Sequence, residues 1–223
     1  MSKDDRTWIA GATDLDYIDG IAAPLPGFLA DLESDALVHG IPIVDRDAAR
    51  VLAVLAADRR RIVEVGAAWG WSALWMALAQ PAGGTVVTIE PDERRIAIAR
   101  EWWRKAGLPE GRIEVVRARA LEAFERAEAA LAGPFDMAFI DALKPQYGAY
   151  VEALVPRLAP GAIVTADNVL WSGRTSGARP DDRGGETAAL QAFNAAMLRD
   201  RRFTATILPV GDGLLLATYR GPG

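Results

Sequence analysis

Residues 61–89 read RIVEVGAAWGWSALWMALAQPAGGTVVTI, a strand pattern followed by a helix pattern and a second strand pattern. The apolar runs Ile62–Val65 and Thr85–Ile89 have the length of short strands, and Trp71–Ala79 between them repeats with the period of a helix. Short apolar runs of this kind are typical of strands that are covered on both faces of a sheet. Strands that alternate with helices predict a parallel α/β sheet.

This alternation continues along the chain. Further strands are predicted over Ile113–Val116, Met137–Ile140, Ala162–Thr165, Phe203–Leu208 and Leu214–Tyr219. Further helices are predicted over Arg46–Ala57, Asp92–Ala106, Leu121–Leu131, Tyr147–Leu158 and Glu186–Arg199. The tight turn at residues 209–213 predicts that the last two strands pair as an antiparallel hairpin. We therefore expect an α/β fold of the Rossmann-like, doubly wound kind, with a seven-stranded, mostly parallel sheet and an antiparallel C-terminal hairpin.

The 223 residues suit a single domain, 1–223, in which residues 1–60 form an N-terminal helical cover and residues 61–223 form the core. Prolines and glycines break the cover into several helical pieces. The first residues are polar and unlike a targeting peptide, and no apolar run has the roughly 20 residues of a membrane span. We expect a cytoplasmic protein.

The composition removes several kinds of chemistry. The chain has no Cys, which excludes disulfides, thiolate metal sites and cysteine nucleophiles, and its single His, His39, excludes a His-rich metal site within one chain. Its net charge of −5 argues against a nucleic-acid binder held mainly by charge. Catalysis must therefore use carboxylates, amides, Lys, Tyr, backbone groups or a bound cofactor.

A cofactor site is predicted where the first two strands end. Gly66 and Gly70 lie between the first strand and a helix, where the backbone can approach a ligand and the helix offers unpaired N–H groups. Glu90 ends the second strand, a place from which an acid can accept both ribose hydroxyls of a nucleoside. The alternative is a tight structural turn with a helix-capping acid. Ala68 interrupts the G-x-G-x-x-G spacing of dinucleotide sites, and Glu64 stands two residues before Gly66.

A metal site is predicted where the next two strands end. Asp141 follows the fourth strand, and Asp167 and Asn168 follow the fifth. Carboxyl ends of neighbouring strands lie at the same sheet edge, so these side chains can converge. Two carboxylates and an amide are hard oxygen donors that suit Mg²⁺, Mn²⁺ or Ca²⁺. The alternative is that both acids cap the structures that follow them.

The glycine loop, with its acid before Gly66, resembles the first motif of class I S-adenosylmethionine (SAM) methyltransferases. The segments FIDALK (139–144), DNVLW (167–171), GIPIV (40–44) and LPVGDGLLL (208–216) resemble cation-dependent O-methyltransferases of the caffeoyl-CoA and catechol type. This resemblance spans Leu15 to Tyr219, nearly the whole chain.

The resemblance implies roles for individual residues. The residues implied to contact SAM are Val44, Glu64, Gly66, Ala67, Ser72, Glu90, Ala120 and Asp141. Among these, Ser72 would meet the methionine carboxylate, Glu90 the ribose and Ala120 the adenine. The divalent-cation ligands would be Asp141, Asp167 and Asn168, which places Asp141 and Asn168 in the catalytic centre. Lys144 matches the position of the general base.

The resulting hypothesis is methyl transfer from SAM to a hydroxyl of a small catechol-like or phenolic acceptor, by a homodimer that uses Mg²⁺ or a similar ion. The acceptor pocket would be formed by the N-terminal segment and the loop Trp171–Gly185. Tyr147 is interpreted as packing, whereas Trp171 either lines the pocket or packs. Three alternatives remain: a methyltransferase for tRNA wobble hydroxyuridine, an NAD-dependent oxidoreductase, and a non-enzymatic SAM- or metal-binding regulator.

Overall fold

The structure is a computed structural model and describes residues 11–221. Its α-helices are α1 Ala12–Ile21, α2 Gly27–Val38, α3 Arg46–Ala56, α4 Trp71–Ala79, α5 Glu93–Lys105, α6 Ala120–Glu125, α7 Tyr147–Leu154 and α8 Gly185–Arg199. Its strands are β1 Arg61–Val65, β2 Thr85–Ile89, β3 Ile113–Val116, β4 Phe135–Ile140, β5 Leu158–Ala166, β6 Phe203–Leu208 and β7 Leu214–Tyr219.

The strands form one seven-stranded sheet in the order β3-β2-β1-β4-β5-β7-β6. Strands β1 to β5 are parallel, and β7 lies antiparallel between β5 and β6. The predicted Rossmann-like fold with an antiparallel C-terminal hairpin is therefore confirmed, as is the N-terminal helical extension, which α1 to α3 form. The first ten positions of the predicted cover lie outside the described residues. The single-domain organisation stays a prediction.

The apolar strands face two separate cores. Ile62 and Met137 point into a cluster with α2 to α5, whereas Val63 and Ala138 point into a cluster with α6 to α8. Successive strand residues face opposite sides of a sheet, so a strand covered by helices on both faces must be apolar at nearly every position. This arrangement explains the uninterrupted apolar runs of the sequence.

Two predicted helices end earlier than their patterns suggested. Helix α7 stops at Leu154 instead of Leu158, because Pro156 lies in the 3₁₀ turn that follows and Leu158 already pairs with Phe135 of β4. Helix α6 stops at Glu125 instead of Leu131, since Ala127 adopts a positive φ of 51°, which no α-helix residue has. Helical periodicity continued in both places after the hydrogen-bonded helix had ended.

Strands β1, β2, β4 and β5 run in the same direction, so the segments that follow them meet at one edge of the sheet. Within residues 11–221, no helix combines the length and the apolar character needed to cross a membrane.

Candidate functional site

A cavity of about 800 Å³ opens at the carboxyl edge of the sheet. Ten of the residues predicted to form the site line it: Val44, Gly66, Ala67, Ser72, Glu90, Ala120, Asp141, Lys144, Asp167 and Asn168. Residues from the N-terminal segment, Pro42 and Ile43, and from the far loop and α8, Trp171 and Glu186, also line it. The structure therefore brings the predicted cofactor and metal residues together around one cavity.

Gly66 allows the ends of β1 and β4 to approach closely. Its φ is +99°, and a Cβ there would collide with the backbone carbonyl of Asp141. Gly70 precedes α4 with a φ of +77°, and its carbonyl accepts a hydrogen bond from the Trp103 indole at 3.0 Å. Helix α4 begins without a side-chain cap, which leaves its first N–H groups available to a ligand.

Glu64 is the one predicted contact residue that does not line the cavity. It is fully buried beneath the α4 N-terminus, where its Oε1 accepts from the Ser72 hydroxyl and its Oε2 from the Thr88 hydroxyl, both at 2.5 Å. Burial raises the pKa of Glu64 to about 7. Since the Ser72 hydroxyl proton is used by Glu64, only the Ser72 oxygen and the α4 backbone face a ligand.

Glu90 lies at the end of β2, almost fully buried. Its Oε2 accepts from the backbone N–H of Ala68, and its Oε1 accepts from the backbone N–H of Asp92, both at 3.0 Å. Ala68 adopts a positive φ of 45°, so the loop does accommodate a methyl group where related motifs have glycine. Each carboxylate oxygen has a second lone pair, which leaves Glu90 able to accept hydroxyl hydrogen bonds from a ligand.

Lys144 joins the ends of β4 and β5. Its Nζ donates to Asp141 Oδ1 at 2.8 Å, to the Tyr147 phenol oxygen at 2.8 Å and to Asn168 Oδ1 at 2.5 Å. An ammonium has three protons, so every one of them has a partner. The buried positive charge therefore lies at the point where these oxygen atoms converge.

Tyr147 does more than the packing that its sequence pattern indicated. It is fully buried, and besides accepting from Lys144 its hydroxyl donates to the backbone carbonyl of Asp167 at 3.1 Å. Burial raises the pKa of the Tyr147 phenol well above its ordinary value, so the proton that it donates is retained. Its position three residues after Lys144, at the start of α7, is the sequence signal for this contact.

Trp171 also lies near the Lys144 ammonium, with its ring centre 5.6 Å from Nζ. It lines the cavity and also packs against the apolar core, so both features considered for this residue are present. His39, by contrast, is exposed and contacts Asp35 and the Trp69 ring, away from the cavity.

Asp167 has the chemistry expected of a cation ligand. Only 3% of it is exposed, and its Oδ1 has no hydrogen-bond partner within residues 11–221. Burial and the nearby Asp141 raise the pKa of Asp167 to about 7, so a positive charge at this point would stabilise its ionised form. In that part of the chain, no three side chains of His, Cys, Asp or Glu form a metal cluster. Two carboxylates completed by the Asn168 amide fit a hard divalent cation.

Comparisons with known proteins find related sequences and related structures. A family model described as O-methyltransferase matches residues 31–220. A catechol O-methyltransferase of Niastella koreensis is 34% identical over 168 residues, covering 72% of this chain and 74% of its own.

Two solved structures show the same architecture with the cofactor or its product bound. The O-methyltransferase of Bacillus cereus in complex with SAH superposes with a TM-score of 0.79 at 28% identity, covering 92% of this chain and 96% of its own. TomG of Streptomyces achromogenes in complex with SAM gives a TM-score of 0.81 at 27% identity, covering 99% and 100%.

Proposed function

Because this chain belongs to the O-methyltransferase family, we propose that it methylates a hydroxyl of a small catechol-like or phenolic acceptor with the help of a divalent cation. The enzyme is a SAM-dependent methyltransferase, which decides against the oxidoreductase alternative. The cation, the acceptor and the individual residue roles are the parts that we propose.

One observation carries the proposal. At one end of the cavity, Asp141 and Asn168 converge on the same ammonium of Lys144. Asp167, whose Oδ1 has no hydrogen-bond partner within residues 11–221, lies beside them. A buried group of oxygen ligands next to a lysine suits deprotonation of an acceptor hydroxyl. In our proposal, Asp141, Asp167 and Asn168 hold Mg²⁺ or a similar ion. When bound, that ion would supply Lewis-acid stabilisation of an oxyanion.

Lys144 is proposed as the general base. Its Nζ is held on three sides by Asp141, Tyr147 and Asn168, so it is fixed in direction. A base that is fixed within reach of a hydroxyl contributes typically 10²–10⁴-fold to rate. To act as the base, Lys144 would first release one of its three protons to solvent; the neutral amine would then take the proton of the acceptor hydroxyl, and Tyr147 would keep the amine directed at that point.

The remaining contact residues are proposed to bind and orient SAM. Glu90 would accept the ribose hydroxyls, Ala120 would lie beside the adenine, and the α4 N-terminus at Ser72 would receive the methionine carboxylate. Glu64 would act from below by fixing Ser72. The other contacts are proposed for Val44, Gly66, Ala67 and Asp141. The main task of these residues is to align the donor with the acceptor oxygen.

The proposed acceptor class follows from the walls of the same end of the cavity. Leu143 and Trp171 offer apolar surface, and Gln146 and Tyr150 offer polar atoms. A flat aromatic ring with two neighbouring oxygens would use both features. The relative from Niastella koreensis, named for catechol, supports this class.

The experiment is a SAM-coupled screen of catechols, phenolic acids, their CoA esters and tRNA, each with Mg²⁺, with Mn²⁺ and with EDTA. We expect turnover of a catechol-type phenol, its loss in EDTA and its recovery when Mg²⁺ or Mn²⁺ is added in excess. Full activity in EDTA would remove the cation from the mechanism. Turnover of tRNA alone, with affinity that falls steeply with salt, would favour the wobble-uridine alternative.

The homodimer and the cytoplasmic location also remain proposals. Leu15, Ile18 and Ile21 are exposed on α1, which buries none of its side chains within the described part of this chain. A second subunit that covers this face would remove apolar surface from water. Light scattering on the purified protein measures its mass directly, and a monomer would contradict the proposed dimer.

A further inference from the structure

We propose that Asp212, in the turn between β6 and β7, is a positioning residue that orients the side-chain amide of Asn168 toward the cation site. This inference rests on the proposed cation site. Asp212 does not line the cavity, so it would act through Asn168 and not by contact with a ligand.

The turn that carries Asp212 is hydrogen-bonded to the segment after β5. The backbone N–H of Val169 donates to the Gly213 carbonyl at 3.0 Å, and the backbone N–H of Leu170 donates to the Asp212 carbonyl at 2.9 Å. A Cβ at Gly213 would collide with the side chain and backbone of Leu170. The close contact between these two segments therefore depends on glycine at position 213.

The Asp212 carboxylate adds two side-chain contacts to this backbone pairing. Its Oδ1 accepts from the backbone N–H of Ser172, and its Oδ2 accepts from Asn168 Nδ2 at 3.4 Å. Asn168 and Ser172 both have positive φ values, of 60° and 52°. Positive φ is uncommon for residues other than glycine and requires support from the surrounding structure. Asp212 supplies that support at both ends of the segment 168–172.

The two sides of the Asn168 amide face opposite chemistry. Its Oδ1 faces the Lys144 ammonium, which only donates, and its Nδ2 faces the Asp212 carboxylate, which only accepts when ionised. A flipped amide would lose both contacts. Since only the oxygen of an amide coordinates a hard cation, the orientation that Asp212 selects is the orientation that a cation requires. Partners that orient a ligand in this way typically contribute 10–100-fold to metal affinity.

The test is a double-mutant cycle on the pair, with Mn²⁺ affinity measured by EPR and SAM affinity measured by calorimetry on the full chain. In Asp212→Asn, one oxygen still serves Ser172 while the new NH₂ group faces Asn168, which favours a flipped amide. We expect the affinity for Mn²⁺ to fall roughly tenfold to a hundredfold. The affinity for SAM should stay within about twofold, because the backbone contacts of the turn remain.

The same substitution is then made in the Asn168→Asp background. There the new NH₂ group can donate to a carboxylate at position 168, whose other oxygen still faces the cation. We expect Asp212→Asn in this background to leave the Mn²⁺ affinity unchanged or to raise it. A carboxylate that acts only through its charge, or only by holding the turn, would produce the same loss in both backgrounds, and that result would overturn the proposal.

The outcomes also separate this inference from the proposed function. A wild-type enzyme that binds no Mn²⁺ would overturn both. If wild type and Asp212→Asn bind Mn²⁺ equally tightly, only the positioning role of Asp212 is overturned. If Asp212→Asn does not fold, the variant that exchanges the two side chains, Asn168→Asp with Asp212→Asn, provides the test. If this double variant binds SAM but does not bind Mn²⁺, the inference is overturned. If it binds both, the inference is supported.

Discussion

The Nζ atom of Lys144 lies 2.5 Å from the Oδ1 atom of Asn168, although the two residues are 24 positions apart in the chain. Lys144 follows β4 and Asn168 follows β5, and these strands are neighbours in the sheet. The contact places a lysine charge among oxygen atoms suited to a divalent ion. It therefore connects the proposed base directly to a proposed cation ligand.

Lys144→Met should lower kcat by roughly a hundredfold to ten-thousandfold, the usual contribution of a positioned base. The affinity for SAM should be retained, since Glu90 and the α4 N-terminus are untouched. Steady-state kinetics with the acceptor identified in the screen measures kcat, and calorimetry measures SAM affinity. Lys105→Met, at the end of α5, is the matched control, because Lys105 lies over the Trp102 ring at the surface. A wild-type rate in Lys144→Met would mean that another group removes the proton.

Tyr147→Phe keeps the ring in the core and removes the hydroxyl that bridges Lys144 and Asp167. A hydrogen bond to a charged group is worth about 1.5–3 kcal/mol, so we expect kcat to fall by roughly tenfold or more. Since the acceptor and SAM contacts remain, KM for SAM should not change. Tyr219→Phe is the control, because that phenol ring packs against Phe203 in the core and does not line the cavity. Equal kinetic losses in the two variants would show that Tyr147 has no specific role toward Lys144.

Glu90→Gln should weaken SAM binding by roughly tenfold to a hundredfold, the equivalent of a charge-assisted hydrogen bond. After the substitution, the side chain has a single oxygen. That oxygen cannot accept hydrogen bonds from the Ala68 and Asp92 N–H groups and from two ribose hydroxyls together. Isothermal titration with SAM checks this. Glu93→Gln is the control, because Glu93 pairs with Arg117 on the surface. SAM affinity that is the same in both variants would contradict the ribose role of Glu90.

Glu64 makes stability fall with rising pH. Burial raises the pKa of Glu64 from 4.5 in the unfolded chain to about 7 in the folded protein. The folded state therefore binds this proton more tightly than the unfolded state. The stabilisation is fully present below about pH 4.5 and is lost as pH rises through about 7, a change on the order of 3 kcal/mol.

Glu64→Gln removes this titration and retains groups that can pair with Ser72 and Thr88. Relative to wild type, we expect the variant to gain stability as pH increases from 5 to 8, measured as the free energy of urea unfolding. Thr88→Val removes one hydrogen bond that lowers the pKa of Glu64, so its stability should continue to fall at higher pH than that of wild type. A constant difference between wild type and Glu64→Gln across this range would show that Glu64 keeps one protonation state.

Several site residues could be found from sequence because each follows a strand directly. Asp141, Asp167 and Glu90 stand at strand ends, and parallel strands bring such positions to one edge. Glu64 illustrates the limit of that reasoning. It belongs to the same motif as Gly66, but strand alternation turns its side chain under the helix and away from the cavity.

The periodicity of apolar residues was sufficient to establish a doubly wound sheet, the order of its strands along the chain and the edge at which polar side chains collect. Periodicity indicates which positions of a segment are buried, and it can be read from a few neighbouring residues. Contacts across 24 or 44 residues, such as Lys144 and Asp212 with Asn168, depend instead on which strands become neighbours. Only the insertion of β7 beside β5 brings Asp212 to the amide of Asn168, because side-chain hydrogen bonds form only after packing has set the distances between remote segments.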